Sequence, residues 1–304
     1  MTPYVIVATK GRAAEVAVLF DHLAAQSTPP RRTLVVGAGP ADVAGLADHP
    51  RGAAIGAEIL MADKAGLPIQ RNVGLDRLAA EGCLADADAF VVFFDDDFRP
   101  AGDWLQRAGE TFAAMPEVVG FTGLVLADGI KGPGLTEAEA GLYLSGQRPG
   151  QPHWATGTEP RDLESVYGCN MAWRAGLVAA QRFDERLPLY AWQEDRDYTG
   201  QALKRGRVIF APACRGVHLG VKGARSSGVR LGYSQIANPI YLAGKGSMRR
   251  RDTLEFVARS LLSNIVKSLI ADRSADFPGR CRGNWVALRD LATGSMRPER
   301  ILDL

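Results

Sequence analysis

FVVFFDDD, residues 90–97, sets five apolar residues directly against three carboxylates. A continuous β-branched and aromatic run with an abrupt polar stop predicts a strand buried on both faces. Two similar runs precede it. YVIVA (4–8) stops at Thr9-Lys10-Gly11-Arg12, and TLVV (33–36) stops at Gly37-Ala38-Gly39-Pro40. Between them, residues 13–25 carry Val16, Leu19, Phe20 and Leu23 at helical spacing. A third strand over 55–61 and a helix over 72–80 follow. Strands alternating with helices predict an α/β fold built on a mostly parallel sheet. Ligands collect at the carboxyl ends of such strands. The candidate chemistry therefore sits at 9–12, 37–42 and 95–97.

Further on, the pattern predicts a helix over 104–115, a strand over 118–126 and a long Gly/Pro-rich loop over 129–160 bearing Tyr143, His153 and Trp154. An acidic-started helix over 191–204 and a strand over 208–211 come next, then a Gly/Ser/Arg loop over 220–232. A helix over 253–270 places Leu254, Val257, Leu261, Leu262, Ile265 and Leu269 on one stripe.

The 304 residues are 46% hydrophobic and 23% charged, which excludes a disordered or collagen-like chain. Thirty-six basic against 34 acidic residues leave +2, and no nucleic-acid partner is expected from so small an excess. The four cysteines form no C-x-x-C pair, so thiols in a reducing compartment are expected rather than disulfides or a zinc site. The start has no signal-peptide layout and no apolar run reaches about 18 residues, so the expected location is the cytoplasm.

Three adjacent carboxylates raise one another's pKa, and a divalent cation relieves the repulsion. Oxygen ligands suit Mg²⁺ or Mn²⁺. In an extended chain Asp95 and Asp97 point to one side and Asp96 to the other. The competing reading is a solvated turn in which Asp97 caps a segment starting near Pro100. Gly37-Ala38-Gly39 lacks the third glycine of a dinucleotide fingerprint, which disfavours a dehydrogenase.

In order along the chain stand TKGR (9–12), QRNVGLD (70–76), FFDDD (93–97), YGCNMAWR (167–174), RFDERL (182–187), QEDRDYTGQALKRG (193–206) and VHLG (217–220). Together they resemble the family-2 glycosyltransferases, inverting enzymes of the GT-A fold, across residues 4 to 220. The resemblance implies that Thr9 and Arg12 lie at the nucleotide edge, that Arg71-Asn72 is the basic-Asn element near the nucleotide, and that Asp42 is the nearest acid to face the base. It implies that the triplet holds ribose and the metal on the diphosphate, with both Asp95/Asp97 and Asp96/Asp97 fitting the family's pattern. Gly168, Asn170 and Arg174 would shape the sugar and acceptor pocket, His218 would complete the metal site, and Asp195 would be the catalytic base. The partners implied are a nucleotide-diphosphate sugar and a glycan, lipid-linked or small-molecule acceptor. A sugar-phosphate nucleotidyltransferase and a non-catalytic nucleotide-sugar-binding relative are the alternatives.

The residues have their own case. Inverting transfer needs one base on the acceptor hydroxyl and a stabilised leaving group on the opposite face, and two separate acidic clusters supply both. Glu194, Asp195 and Asp197 also suit a helix N-terminus for its dipole alone. Trp192 and Trp154 are either core aromatics or sugar platforms. Lys222, Arg225 and Arg230 are either solvated or a lid closing on diphosphate. The expected organisation is a catalytic domain over 1–244, with a nucleotide-sugar half to about 125, and a helical extension over 245–304. KGSMRRR (245–251) with the striped helix predicts packing or a homo-oligomer contact. Peripheral contact with anionic lipid, at the inner face of the membrane, is the second reading.

Overall fold

The structure, a computed structural model, describes residues 1–221 and 227–304. β1 (Thr2–Ala8), α1 (Ala13–Ala24), β2 (Arg32–Gly37), β3 (Ala57–Met61), α2 (Leu67–Ala80) and β4 (Ala89–Asp95) form the alternating N-terminal part. β5 (Phe98–Pro100), α3 (Trp104–Ala114), β6 (Val118–Asp128), α4 (Glu137–Leu144), β7 (Arg161–Asp162), β8 (Asn170–Arg174) and α5 (Ala175–Ala180) follow. The chain continues through α6 (Glu194–Ala202), β9 (Arg207–His218), α7 (Gly228–Lys245), α8 (Arg250–Leu269) and α9 (Phe277–Ala292).

The strands form one sheet in the order β3-β2-β1-β4-β8-β6-β9-β5, with β7 beside β9. The α/β class and mixed sheet are as expected, but the sheet is not mostly parallel. β3, β2, β1 and β4 run parallel, as do β6 and β9. β8 lies antiparallel between β4 and β6, and β5 and β7 pair antiparallel with β9. The reversal begins at β8, where the chain returns beside β4 from the Gly/Pro-rich stretch rather than through a helical crossover.

The chain divides into two compact units, and neither is a continuous span. The first comprises residues 1–65, 69–182 and 202–224; the second comprises 66–68, 183–201 and 225–304. In the first unit, alternate residues of the N-terminal strands serve opposite faces. Val5, Val7, Val35, Phe90, Val92 and Phe94 pack with Val16, Leu19 and Phe20 of α1 and with Trp104 and Phe112 of α3. On the other face α2 lies so close that a Cβ on Gly74 would sit 2.8 Å from Ile6.

Several boundaries shift for local reasons. The expected loop over 129–160 contains α4, started by a capping box in which Thr136 and Glu139 exchange hydrogen bonds. β9 runs to His218, well past the expected end at 211, because a break in register lets residues 212–214 bulge and pairing resumes at Leu124↔Arg215. α7 starts inside the expected 220–232 loop. Cys169 and Cys214 are buried, Cys83 and Cys281 partly so, and all are free thiols. No described helix is long and apolar enough to cross a membrane.

The second unit is built on α7 and α9. Each opens with glycines four apart, Gly228 and Gly232 on α7 and Gly279 and Gly283 on α9. Across the α7–α9 crossing, a Cβ on Gly232 would lie 2.1 Å from the Arg280 carbonyl oxygen, and one on Gly283 would lie 2.0 Å from that of Val229. The Asn284 amide donates to the Gly232 carbonyl at 2.6 Å and the Asn264 amide to Asn284 at 2.9 Å, so the close backbones are bridged by satisfied polar groups. Because a methyl group at the crossing meets backbone that cannot swing aside, Gly283→Ala is expected to destabilise this unit by about 1–3 kcal/mol. A lowered denaturation midpoint would register this, and an unchanged one would show that the helices separate freely.

Candidate functional site

The acidic triplet sits where strand order reverses, between β1 and β4. In their parallel register Ala8 pairs with Asp95, so Thr9 to Arg12 leaves the sheet beside Asp96 and Asp97. The Thr9 hydroxyl donates to Asp96 Oδ2 at 2.8 Å, as does Arg12 Nε at 3.1 Å. Arg12 Nη2 lies 2.9 Å from Asp96 Oδ1. Burial pushes the Asp96 carboxyl up to about 7 even with Arg12 beside it. Asp97 Oδ2 accepts from Arg12 Nη1 at 3.2 Å and from the Val221 amide at 2.8 Å. Burial penalises the Asp97 charge, yet His218, Arg12 and that amide hold it well below the usual carboxylate range. Asp95 is partly exposed, with Oδ1 3.4 Å from Arg71 Nη2. Asp97 is not a helix cap, because the chain continues into β5 and α3 follows Asp103.

β9 delivers His218. Its parallel register with β6 sets Asp128 beside His218, and its antiparallel register with β5 sets Phe98 there, one residue beyond Asp97. His218 Nε2 is 3.3 Å from Asp97 Oδ1, and Nδ1 is 3.0 Å from Asp128 Oδ1. Tyr167 donates its hydroxyl to Asp128 Oδ2 at 2.9 Å, and His153 Nε2 lies 3.3 Å from the same oxygen. Burial disfavours the imidazolium, but the hydrogen bonds to Asp128 and Asp97 push His218 up to about 10.

One donor atom each from Asp95, Asp97 and His218 lies within 4.8 Å of the others. Two carboxylate oxygens and an imidazole nitrogen fit a borderline-hard divalent cation such as Mn²⁺ or Mg²⁺. The carboxylate on Nδ1 fixes the ring and aims Nε2 at the cluster, as is usual for metal-ligating histidines. Asp96 is turned away from this cluster, toward Thr9 and Arg12.

Other expected site residues take definite places. Asp42 Oδ1 accepts from the Gly11 amide at 2.7 Å and Oδ2 from the Ala38 amide at 2.9 Å, so it ties together the loops after β1 and β2. Buried Arg71 donates to the Gly168 carbonyl at 3.0 Å, and buried Asn72 follows it on α2. Asn170 Oδ1 accepts from the Thr122 hydroxyl at 2.6 Å inside the sheet. Arg174 donates to the Phe112, Met115 and Val118 carbonyls, which ties α3 to the sheet. Thr9, Arg12, Arg71, Gly168 and His218 thus gather around the triplet. Lys222 and Arg225 lie outside the described residues. Arg230 belongs to the second unit, where its Nε donates to the Leu304 carbonyl at 2.8 Å.

The second unit holds Trp192, Glu194 and Asp195. The expected helix start at 191 moves to Glu194 because Leu189, Ala191 and Gln193 have φ of 59°, 52° and 75°. Left-handed conformations at non-glycine residues cost of order 1–3 kcal/mol each and cluster at functional sites. Leu189 is pinned there by the Leu67 amide, which donates to its carbonyl at 2.9 Å. Asp197 is a structural anchor, taking Lys245 Nζ at 2.7 Å and the Ser247 hydroxyl. Half-buried Trp192 packs edge-on to Phe256, and its carbonyl accepts from Asn238 at 2.8 Å.

Asp128, Tyr167, Arg99 and His153 join the site although the sequence assigns them no role in it. Buried Arg99 supports the triplet from behind, donating to the Asp96 carbonyl at 2.8 Å while pairing with Glu15 and Glu137. A strand ending in an acid, as β6 does at Asp128, was the available signal. It goes unread when the strand is ended at 126.

No protein-family model matches the chain, and no curated protein matches it. Solved structures do. S. aureus TarS 1–349 aligns with TM-score 0.59 and 16% identity over 99% of this chain and 82% of its own. The mannosyltransferase PcManGT from Pyrobaculum calidifontis, in complex with GDP-Man and Mn²⁺, aligns with TM-score 0.56 and 16% identity over 99% and 84%. GalNAc-T7 with UDP, GalNAc and Mn²⁺ aligns with TM-score 0.57 and 13% identity, over all of this chain but 56% of that one. The chain shares the fold of these three solved structures.

Asp128→Ala removes the acceptor that orients His218. It is expected to weaken Mn²⁺ binding about 10–100-fold in a calorimetric titration of the full chain. Unchanged affinity would show that His218 needs no such support.

Proposed function

We propose that the protein is an inverting, divalent-metal-dependent glycosyltransferase of family 2, moving a sugar from a nucleotide-diphosphate donor to an acceptor hydroxyl. The observation that carries this reading is the Asp95–Asp97–His218 cluster at the strand-order reversal of a nucleotide-sugar glycosyltransferase fold. Mn²⁺ and a nucleotide or nucleotide sugar stand together in the solved structures of PcManGT and GalNAc-T7, which supports the same donor class and cation here.

Asp95, Asp97 and His218 would hold the cation, whose chemistry there is to neutralise the diphosphate oxygens of donor and leaving group. Thr9 and Arg12 flank that position, Asp42 is assigned to the base, and Asp96 to the ribose edge. Asp96 also keeps Thr9 and Arg12 in place. Arg71 and Asn72 are assigned to the nucleotide, and Gly168 and Asn170 to the sugar and acceptor pocket. In the second unit Asp195 is the base. It takes the proton of the acceptor hydroxyl as that oxygen forms its bond to the anomeric carbon, while the bond from that carbon to the phosphate oxygen breaks on the opposite face. The leaving nucleoside diphosphate departs as an anion and needs no proton. The strained segment before Asp195 supports this assignment, as does the buried Gln193 Oε1, which has no hydrogen-bond partner and suits a ligand hydroxyl. Half-exposed Trp154, edge-on to Tyr167, offers a sugar ring an aromatic face, and Trp192 is the second candidate.

A thermal-shift screen of nucleotide sugars is expected to give a hit that depends on Mn²⁺, because a ligand that binds only the folded state raises its stability. Asp195→Asn is expected to keep that shift while losing about 10²–10⁴-fold in transfer. Transfer at the wild-type rate would refute the base assignment. Release of pyrophosphate instead of nucleoside diphosphate would make the protein a nucleotidyltransferase.

A further inference from the structure

The solvent face of α8 is apolar along most of its length. Leu254, Leu262, Ile265 and Leu269 are 71%, 66%, 49% and 81% exposed, and Val266 and Ile270 widen the strip. Val257 and Leu261, at one edge of the same stripe, pack against the core formed with α7 and α9, and Thr253 and Asn264 are buried. The helix therefore already has a covered face, and the exposed strip is a second one. Single exposed leucines need no explanation, but a contiguous row does.

Charge indicates what covers the strip. Arg249, Arg250 and Arg251 are exposed at its start, Arg259 along its flank, and Arg273 beyond its end. At 3.6 residues per turn, Arg251, Leu262 and Leu269 fall almost on one line, and the strip from Leu254 to Leu269 is about 22 Å long. A second copy of the helix fits poorly. Antiparallel pairing would bring the Arg249–Arg251 end of one copy against Arg273 of the other, and parallel pairing would stack arginines on arginines. The acids on and near the strip are already engaged, Asp252 by Arg196 at 3.4 Å, Glu255 by Arg259 and Asp272 by Lys267 at 3.8 Å. An apolar strip with cations at both ends matches a bilayer interface instead. Leucines suit the acyl boundary, and guanidinium groups suit the headgroup level.

We infer that α8 lies flat on an anionic phospholipid surface, with Leu254, Leu262, Ile265 and Leu269 inserted and the arginines at its two ends on lipid phosphates. The inference stands apart from the sugar-transfer reading and survives its failure. The test is co-sedimentation of the full chain with vesicles of phosphatidylcholine alone or mixed with phosphatidylglycerol. Binding is expected only to the mixed vesicles, and it should fall as salt is raised. Leu262→Glu/Leu269→Glu should abolish it without lowering the unfolding temperature, since both side chains are exposed. Arg250→Ala/Arg251→Ala should weaken it roughly tenfold or more. Failure of the wild type to bind mixed vesicles, or equal binding by the Leu262→Glu/Leu269→Glu variant, overturns the inference. So does a wild-type dimer in solution that this variant converts to monomer, which would make the strip a contact between copies.

Discussion

Three consecutive carboxylates at the end of a buried strand are the constraint around which the first unit is arranged. Left together in a low-dielectric setting they repel strongly. The structure relieves this by giving each a counter-charge: Arg71 for Asp95, Arg12 shared by Asp96 and Asp97, and His218 for Asp97 as well. That relief depends on strand register. Ala8 opposite Asp95 brings Arg12 to the turn, and Phe98 opposite His218 brings the imidazole to Asp97. A shift of one residue in either pair would exchange the faces of the side chains and leave buried carboxylates without partners.

Behind the turn lies a second polar layer. Asp128 gathers His218, His153, Tyr167 and the Ile130 amide, and Arg99 gathers Glu15, Glu137 and the Asp96 carbonyl. Buried polar groups of this kind stabilise only when their partners are present, and then they hold a single geometry. The cluster is thus held from the sheet side by buried partners in one geometry.

The second unit uses different physics. Its helices meet through glycines that let the backbones approach closely, and its asparagines bridge the crossing. Ahead of α6, Leu189, Ala191 and Gln193 take left-handed backbone conformations that side chains disfavour. The strain persists there because the Leu67 amide, the α6 helix and the anchor from Asp197 to Lys245 over-determine the path.

Much of the first unit was legible because its signals are local. FVVFF, YVIVA and TLVV are strands for reasons of side-chain shape and burial alone, and the acids at a strand end mark where ligands gather. The sequence alone also placed Asp95 and Asp97 on one side and Asp96 on the other, since strand pleating needs no tertiary partner. Which strands run antiparallel was not legible, because the reversal at β8 depends on where a loop returns. Nor was the role of Asp128, which lies 90 residues from His218 and meets it only through the β6–β9 register. The α8 stripe shows the same limit. Its periodicity marked an amphipathic helix, but only packing could decide that Val257 and Leu261 face a core while Leu262 and Leu269 face outward. Periodicity reports where apolar groups sit on a helix; burial is a property of what the rest of the chain brings to them.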